Sequence, residues 1–212
     1  MIVAIDNRLY VKKHFGTVLD FQRLYNYFES RRILDIDGKY GPQTDLRVSK
    51  YRETIRDIVQ TCQIPGPTKY RERTVQNFQG LNPTFLTTFL NSVSNLELEG
   101  FAVIEGLRSY SEQNKLYAQG RETKGRIVTN VRAGYSMHNF GEAIDFGLFG
   151  PAGLYITDNR RYDAVAQSIE KNSVGLVNQL EYGYKWKFKD SPHIQRDAST
   201  RDTREKFRLL TK

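Results

Sequence analysis

Apolar residues recur at helical spacing in two stretches of the first sixty residues. Phe21, Leu24, Tyr25 and Phe28 mark one, and Val48, Tyr51, Ile55, Ile58 and Val59 the other. Residues three and four apart share one face of a helix, so each stretch predicts an amphipathic helix. Between them, Asp37-Gly-Lys-Tyr-Gly-Pro42 reads as a turn whose glycines supply positive φ, and Thr44 is expected to cap the second helix. The period lapses over Cys62-Gln-Ile-Pro-Gly-Pro-Thr-Lys-Tyr70, where two prolines bracket a glycine. The expected organisation is a helical segment at 1–65, a linker at 66–80 and a second domain at 81–212.

The second part alternates helical and extended patterns. Asn82 is placed to cap, and Pro83 to begin, a helix carrying Phe85, Phe89, Val93 and Leu96. Phe101-Ala-Val-Ile104 follows as a strand. Ser109-Tyr-Ser-Glu112 is a capping box that opens a helix ended by Gly120. A further helix, capped by Asp158, shows Tyr162, Val165, Ala166 and Ile169 on one face. The fold class expected is α+β.

Composition narrows the chemistry. The chain has 212 residues, 39% hydrophobic and 26% charged, a balance that buries a core rather than staying disordered. No window reaches 18 uncharged apolar residues, and Asp6 interrupts the apolar start. A soluble chain without a cleaved export signal or membrane insertion is the expectation. The single Cys62 excludes an intrachain disulfide and a cysteine-rich zinc site, so a metal must be held by histidines and carboxylates. The formal net charge is +8, spread over both parts of the chain. Such an excess suits a polyanion, either a bacterial wall or nucleic acid, and equally a solvated basic surface.

Two of the three histidines sit in patterned segments. In Ser136-Met-His138-Asn-Phe-Gly141-Glu-Ala143-Ile-Asp145-Phe146 a glycine-containing loop enters a strand. Alternation there sends Ile144 and Phe146 to the core and leaves Ala143 and Asp145 on the other face. His138 folds back over the small Ala143 to meet Asp145. In Phe188-Lys-Asp190-Ser-Pro-His193-Ile-Gln195 the same alternation puts His193 and Gln195 on one face. Three protein ligands with one open position is the arrangement of a catalytic zinc, which acidifies water and polarises carbonyls. Asp190 is then the candidate base that passes the proton to the leaving amine, and Arg108 the candidate donor to the oxyanion. His14, beside Lys12 and Lys13, is assigned no role.

These residues resemble the M15 metallopeptidase family, which includes D-alanyl-D-alanine carboxypeptidases and dipeptidases and the L-alanyl-D-glutamate endopeptidases of phage endolysins. The resemblance rests on Ser136-x-His138-x-x-Gly141-x-Ala143-x-Asp145 and Asp190-x-Pro192-His193. Gly106-Leu-Arg108-Ser-Tyr-Ser-Glu-Gln113, Leu116-Tyr-Ala-Gln-Gly-Arg121 and Thr129-Asn130 match in order, so about residues 80–196 are covered. It implies His138, Asp145 and His193 as Zn2+ ligands, Asp190 as the catalytic carboxylate, Arg108 as the transition-state arginine, and Ser136 and Gln113 as substrate contacts. It also implies a small antiparallel sheet flanked by helices, of the Hedgehog/DD-peptidase type. Glu181 is a competing base by residue type but falls outside the motif. Where endolysin-like members carry Trp-Gly-Gly-x-x-Trp, this chain has the shorter Tyr182-Gly-Tyr-Lys-Trp186.

A second resemblance, to a three-helix peptidoglycan-binding module, rests on Phe21-Gln-Arg-Leu24, Ile36-Asp-Gly38-Lys-Tyr-Gly41-Pro-Gln-Thr44, Val48 and Tyr51. Arg47 and Arg52 replace its usual Ala and Gln. Together the two imply a zinc peptidase of peptidoglycan cutting the L-Ala-D-Glu bond. A D-Ala-D-Ala carboxypeptidase or dipeptidase and a non-catalytic, metal-bearing wall-binding or phage structural protein are the alternatives. The expected protein is a monomer that does not bind nucleic acid, a phage product held in the cytoplasm until released to the wall.

Overall fold

The computed structural model describes residues 5–173, 180–197 and 199–210. These fall into two compact units, the first drawn from Met1–Ile55, Arg108–Phe140 and Ser199–Lys212, the second from Arg56–Leu107 and Gly141–Ala198. The units interleave along the chain rather than meeting at 66–80.

The first unit is helical. Helix α1 (Asn7–His14), which the apolar pattern did not mark, is capped by Asp6, whose carboxylate accepts from the Leu9 N–H at 3.0 Å. Helices α2 (Val18–Phe28) and α3 (Pro42–Thr61) are those the periodicity predicts. Val48, Tyr51 and Ile55 are buried, while Ile58 and Val59 are only half-buried. Phe15 meets Phe21 and Tyr51 edge-on at ring separations of 5.0 and 5.5 Å, a geometry that aromatic quadrupoles favour. Thr44 is not a cap. Helix α3 begins at Pro42, where a missing N–H costs nothing, and Thr44 lies buried inside it. The turn is held instead by buried Gln22, which donates to Asp37 at 2.9 Å and accepts from the Gly38 N–H at 2.9 Å. Gly38 has φ +70°, as that turn requires.

Also in this unit are α6 (Tyr110–Ala118) and α8 (Thr200–Leu210). The capping box of α6 is complete: Glu112 N–H donates to Ser109 Oγ at 3.1 Å, and Ser109 N–H to the Glu112 carboxylate at 2.9 Å. Phe207 of α8 packs on Phe140 and Tyr27 at 5.2 and 5.7 Å.

The second unit is built on a four-stranded antiparallel sheet, ordered β1-β2-β4-β3, from β1 (Phe101–Glu105), β2 (Ala143–Leu148), β3 (Leu180–Tyr182) and β4 (His193–Arg196). The described chain is therefore α+β. Phe101 and Phe146 stack at 5.0 Å, and Phe146 meets Tyr162 at 5.4 Å. Tyr162, Ala166 and Ile169 form the buried face of α7 (Asn159–Asn172), capped by Asp158 as expected. Helix α5 (Pro83–Ser92) carries the Asn82 cap and Pro83 start read from the sequence.

The expected linker is folded. Residues Arg71–Phe78 form α4, with Thr74 and Phe78 wholly buried. Val103 N–H donates to Thr74 Oγ1 at 3.2 Å and Asn77 Nδ2 to the Val103 carbonyl at 3.1 Å, which attaches α4 to β1. One four-residue-spaced pair, of which one member is a threonine, is too little pattern for periodicity to detect. Among the described residues no helix is long and apolar enough to cross a membrane.

Candidate metal centre

His138 lies in a 3-10 turn (Met137–Phe140) and is buried. Its carbonyl accepts from the Arg108 N–H at 3.1 Å, and Asn139 Nδ2 donates to the Arg108 carbonyl at 2.9 Å. Asn139 also accepts from the Gly134 N–H at 2.9 Å. These bonds fix the backbone of Arg108 against that of His138. The chain then turns at Gly141, φ +66°, where a Cβ would stand 2.5 Å from the Gly80 carbonyl oxygen, so only glycine fits.

Beyond the turn, β2 and β4 pair with Asp145 opposite His193 and Ala143 opposite Gln195. All four share one face, as the alternation predicts. His193 Nδ1 lies 2.9 Å from Asp145 Oδ1. His138, Asp145 and His193 each offer a ligand atom, and these atoms lie within 4.8 Å of one another. Two imidazole nitrogens and one carboxylate oxygen so close together form a donor set that fits a divalent metal of the zinc type.

A hydrogen-bonded chain orients His193. The Glu181 carboxylate can only accept, so the groups facing it both donate: Trp186 Nε1 at 2.6 Å and Gln195 Nε2 at 2.7 Å. Gln195 must then turn its Oε1 toward His193, whose Nε2 stands 3.0 Å away and donates to it. Nδ1 is left as the nitrogen that faces Asp145. Burial pushes the His193 pKa down, but the Asp145 hydrogen bond and charge, the Gln195 hydrogen bond and the Asp190 charge outweigh it and raise it. No sequence pattern ties Trp186 to these hydrogen bonds, and Glu181 reads in the sequence only as a rival base.

Arg108 is 9% exposed, and its Nη1 donates to Gln113 Oε1 at 2.8 Å. Gln113 was expected to touch substrate. It is instead fully buried, with Nε2 donating to the Val131 carbonyl at 2.7 Å, so both ends of its amide are engaged and it braces Arg108 from behind. Ser136 is half-buried beside the His138 turn. Asp190 is exposed, on a turn in which its N–H donates to the Gly183 carbonyl at 3.1 Å and its carbonyl accepts from the His193 N–H at 3.0 Å. A Cβ on Gly183 would lie 2.2 Å from the Asp190 carbonyl oxygen, so this close approach needs glycine. Ser191 donates to Asp163 of α7 at 2.6 Å and Lys189 to the same carboxylate at 3.2 Å, bracketing Asp190 from both sides. The Ser191 hydrogen bond is the chief cause holding the Asp163 carboxyl below its ordinary pKa.

Site and sheet together define a small α+β protein with a His-Asp-His donor set on a sheet face. A family model described as "VanY: D-alanyl-D-alanine carboxypeptidase" matches residues 81–199, more than half of the chain, and the chain belongs to that family. All seven site residues lie within the matched segment. The chain is 43% identical over 98 residues to the peptidoglycan L-alanyl-D-glutamate endopeptidase CwlK of Bacillus subtilis (strain 168), a match covering 44% of this chain and 58% of that protein. It thus spans little more than half the length of that relative. Among solved structures, the Serratia marcescens L-Ala D-Glu endopeptidase ChiX aligns with a TM-score of 0.45 and 27% identity, covering 61% of this chain and 89% of ChiX.

Proposed function

We propose that the chain is a zinc-dependent peptidoglycan peptidase that hydrolyses the L-Ala-D-Glu bond of wall stem peptides. The observation that carries this reading is the convergence of His138, Asp145 and His193 within 4.8 Å. The identity to CwlK favours the L-Ala-D-Glu bond over others. A bound zinc ion would supply Lewis acidity and a water acidic enough to ionise near neutral pH.

The remaining work falls to the chain's own side chains. Asp190, exposed and fixed by backbone bonds at both ends of its turn, takes the proton of the attacking water and returns it to the leaving amine. Arg108, clamped by Gln113, supplies a fixed positive charge to the developing oxyanion, and its near-complete burial strengthens that charge. Gln195 and Glu181 hold the His193 ring so that Nδ1 is the nitrogen presented for ligation. The helical segment 1–65 is assigned to wall binding, and the whole to a lytic role of the endolysin type.

The description of the matching family favours a second reading, D-Ala-D-Ala carboxypeptidase. Mass analysis of products from purified peptidoglycan, with and without a chelator, separates the two. A new D-Glu amine, abolished by chelation, is the expected result. Release of free D-Ala with no new D-Glu amine would overturn the assignment in favour of the second reading, and digestion indifferent to chelator would remove the metal from it.

A further inference from the structure

The first unit contains an open groove of about 710 Å3 that the peptidase reading leaves unused. Arg23 of α2 and Arg201, Arg204 and Arg208 of α8 line it, with Tyr110 and Tyr135. Residues 201, 204 and 208 are three and four apart, so α8 presents them on one face. One carboxylate, Glu205, lines the groove against these four guanidiniums. Among the described residues, none of the four forms an ion pair with a carboxylate. The Arg204 guanidinium lies 3.7 Å from the centre of the Tyr135 ring, a cation–π contact that holds it in place without neutralising it. A concentration of like charge without carboxylate ion pairs is costly to maintain, and an anion relieves it.

We infer that this groove binds the carboxylates of an acidic peptidoglycan stem peptide, as an extended subsite of the peptidase. The inference rests on the function proposed above. Two observations favour substrate over an unrelated anion. Tyr110 follows Arg108 by two residues and Tyr135 precedes His138 by three, so the groove is walled by the same short segments that carry those site residues. The four arginines, in contrast, all lie outside the segment matched by the family, 81–199. Planar guanidiniums match carboxylates bidentately, and the exposed Tyr110 and Tyr135 add apolar surface for the methyl groups of alanine.

The test uses full-length Asp190→Asn protein, in which the expected loss of turnover leaves binding to be measured. Equilibrium binding is measured for a soluble stem tetrapeptide with free carboxylates, and for the same peptide with its carboxylates converted to carboxamides. Arg201→Gln/Arg208→Gln on α8 and Arg23→Gln on α2 are compared in the same background, with thermal melts to confirm folding. Losing a charge-assisted bond should weaken binding about tenfold or more. We expect that loss on amidation, the same loss in either variant, and little further loss when the two are combined. Equal binding of acid and amide, or of parent and both folded variants, overturns the subsite. So does loss of a poly(glycerol phosphate) probe in the variants while peptide binding stays unchanged, which would assign the groove to a phosphodiester polymer. Cleavage is scored separately, in the Asp190 protein: a peptide bound through the groove but never cut leaves the subsite standing and removes the peptidase reading, whereas cutting without carboxylate-dependent binding does the reverse.

Discussion

Replacing Gln195 by Leu keeps the volume of the side chain and removes both ends of its amide. Two hydrogen bonds disappear, the 3.0 Å bond from His193 Nε2 and the 2.7 Å bond to Glu181. Glu181 retains Trp186 and is half-buried, so water can replace its lost donor. His193 is 6% exposed, so water has little access to replace the Gln195 acceptor lost at its Nε2–H. An unpaired buried donor costs about 1–3 kcal/mol. For a protein of this size that corresponds to a fall in Tm of roughly 3–10 °C. The ring is also freed to rotate and to exchange tautomers, and loss of such an outer partner typically weakens metal binding about 10–100-fold. Competition against a chromophoric zinc chelator gives the affinity, and thermal melts of the metal-free protein give the stability. A folded Gln195→Leu protein that binds zinc within twofold of the parent would refute the orienting role of the Glu181–Gln195 pair. Were Tm to fall with affinity unchanged, the pair would be a packing element alone.

Three further outcomes are expected. Asp190→Asn should retain one equivalent of zinc by metal analysis and lose about 10²–10⁴ in the rate of stem-peptide hydrolysis; unchanged lysis would exclude Asp190 as the base. Glu142 is fully buried, accepting from Arg196 at 2.7 Å and Asn82 at 3.0 Å, so Glu142→Ala should destabilise by about 2–4 kcal/mol in urea titrations, moderated because the Arg196 side chain is 40% exposed. Burial, with the charges of Lys13 and Arg52, lowers the His14 pKa from 6.5 to about 4. The fold therefore favours neutral His14, and the stability this contributes is present above pH 6.5 and drains away as pH falls toward 4. The difference in Tm between pH 7 and pH 4.5 should be smaller in His14→Gln than in the parent.

The His-Asp-His cluster was legible because its signals are local. Strand alternation alone put Asp145 with Ala143 and His193 with Gln195, and the register of β2 on β4 brings those pairs face to face. Caps were equally readable at Asn82, Ser109 and Asp158, since each needs only a side-chain oxygen two or three residues from its donor. What escaped was whatever depends on pairing across the sequence. Gln22 holding the turn at 37–38, Asp163 gripping Ser191 twenty-eight residues away, and Glu181 reaching Gln195 leave no periodicity. Gln113 shows the limit from the other side. The family resemblance marks the position, but only the packing shows that its amide faces Arg108 and the Val131 carbonyl.

The interleaving of the two units bears on how such a protein can be altered. The chain passes from one unit to the other near 55, 107, 140 and 198, so no single cut releases either as a continuous piece. Recombination moves contiguous stretches, and a stretch ending at 65 would carry away the helices that share a unit with Arg108 and His138. The amino-terminal helices are thus poor cargo for grafting onto another enzyme. A truncation that starts at residue 66 is expected to forfeit cooperative unfolding as well as any wall affinity.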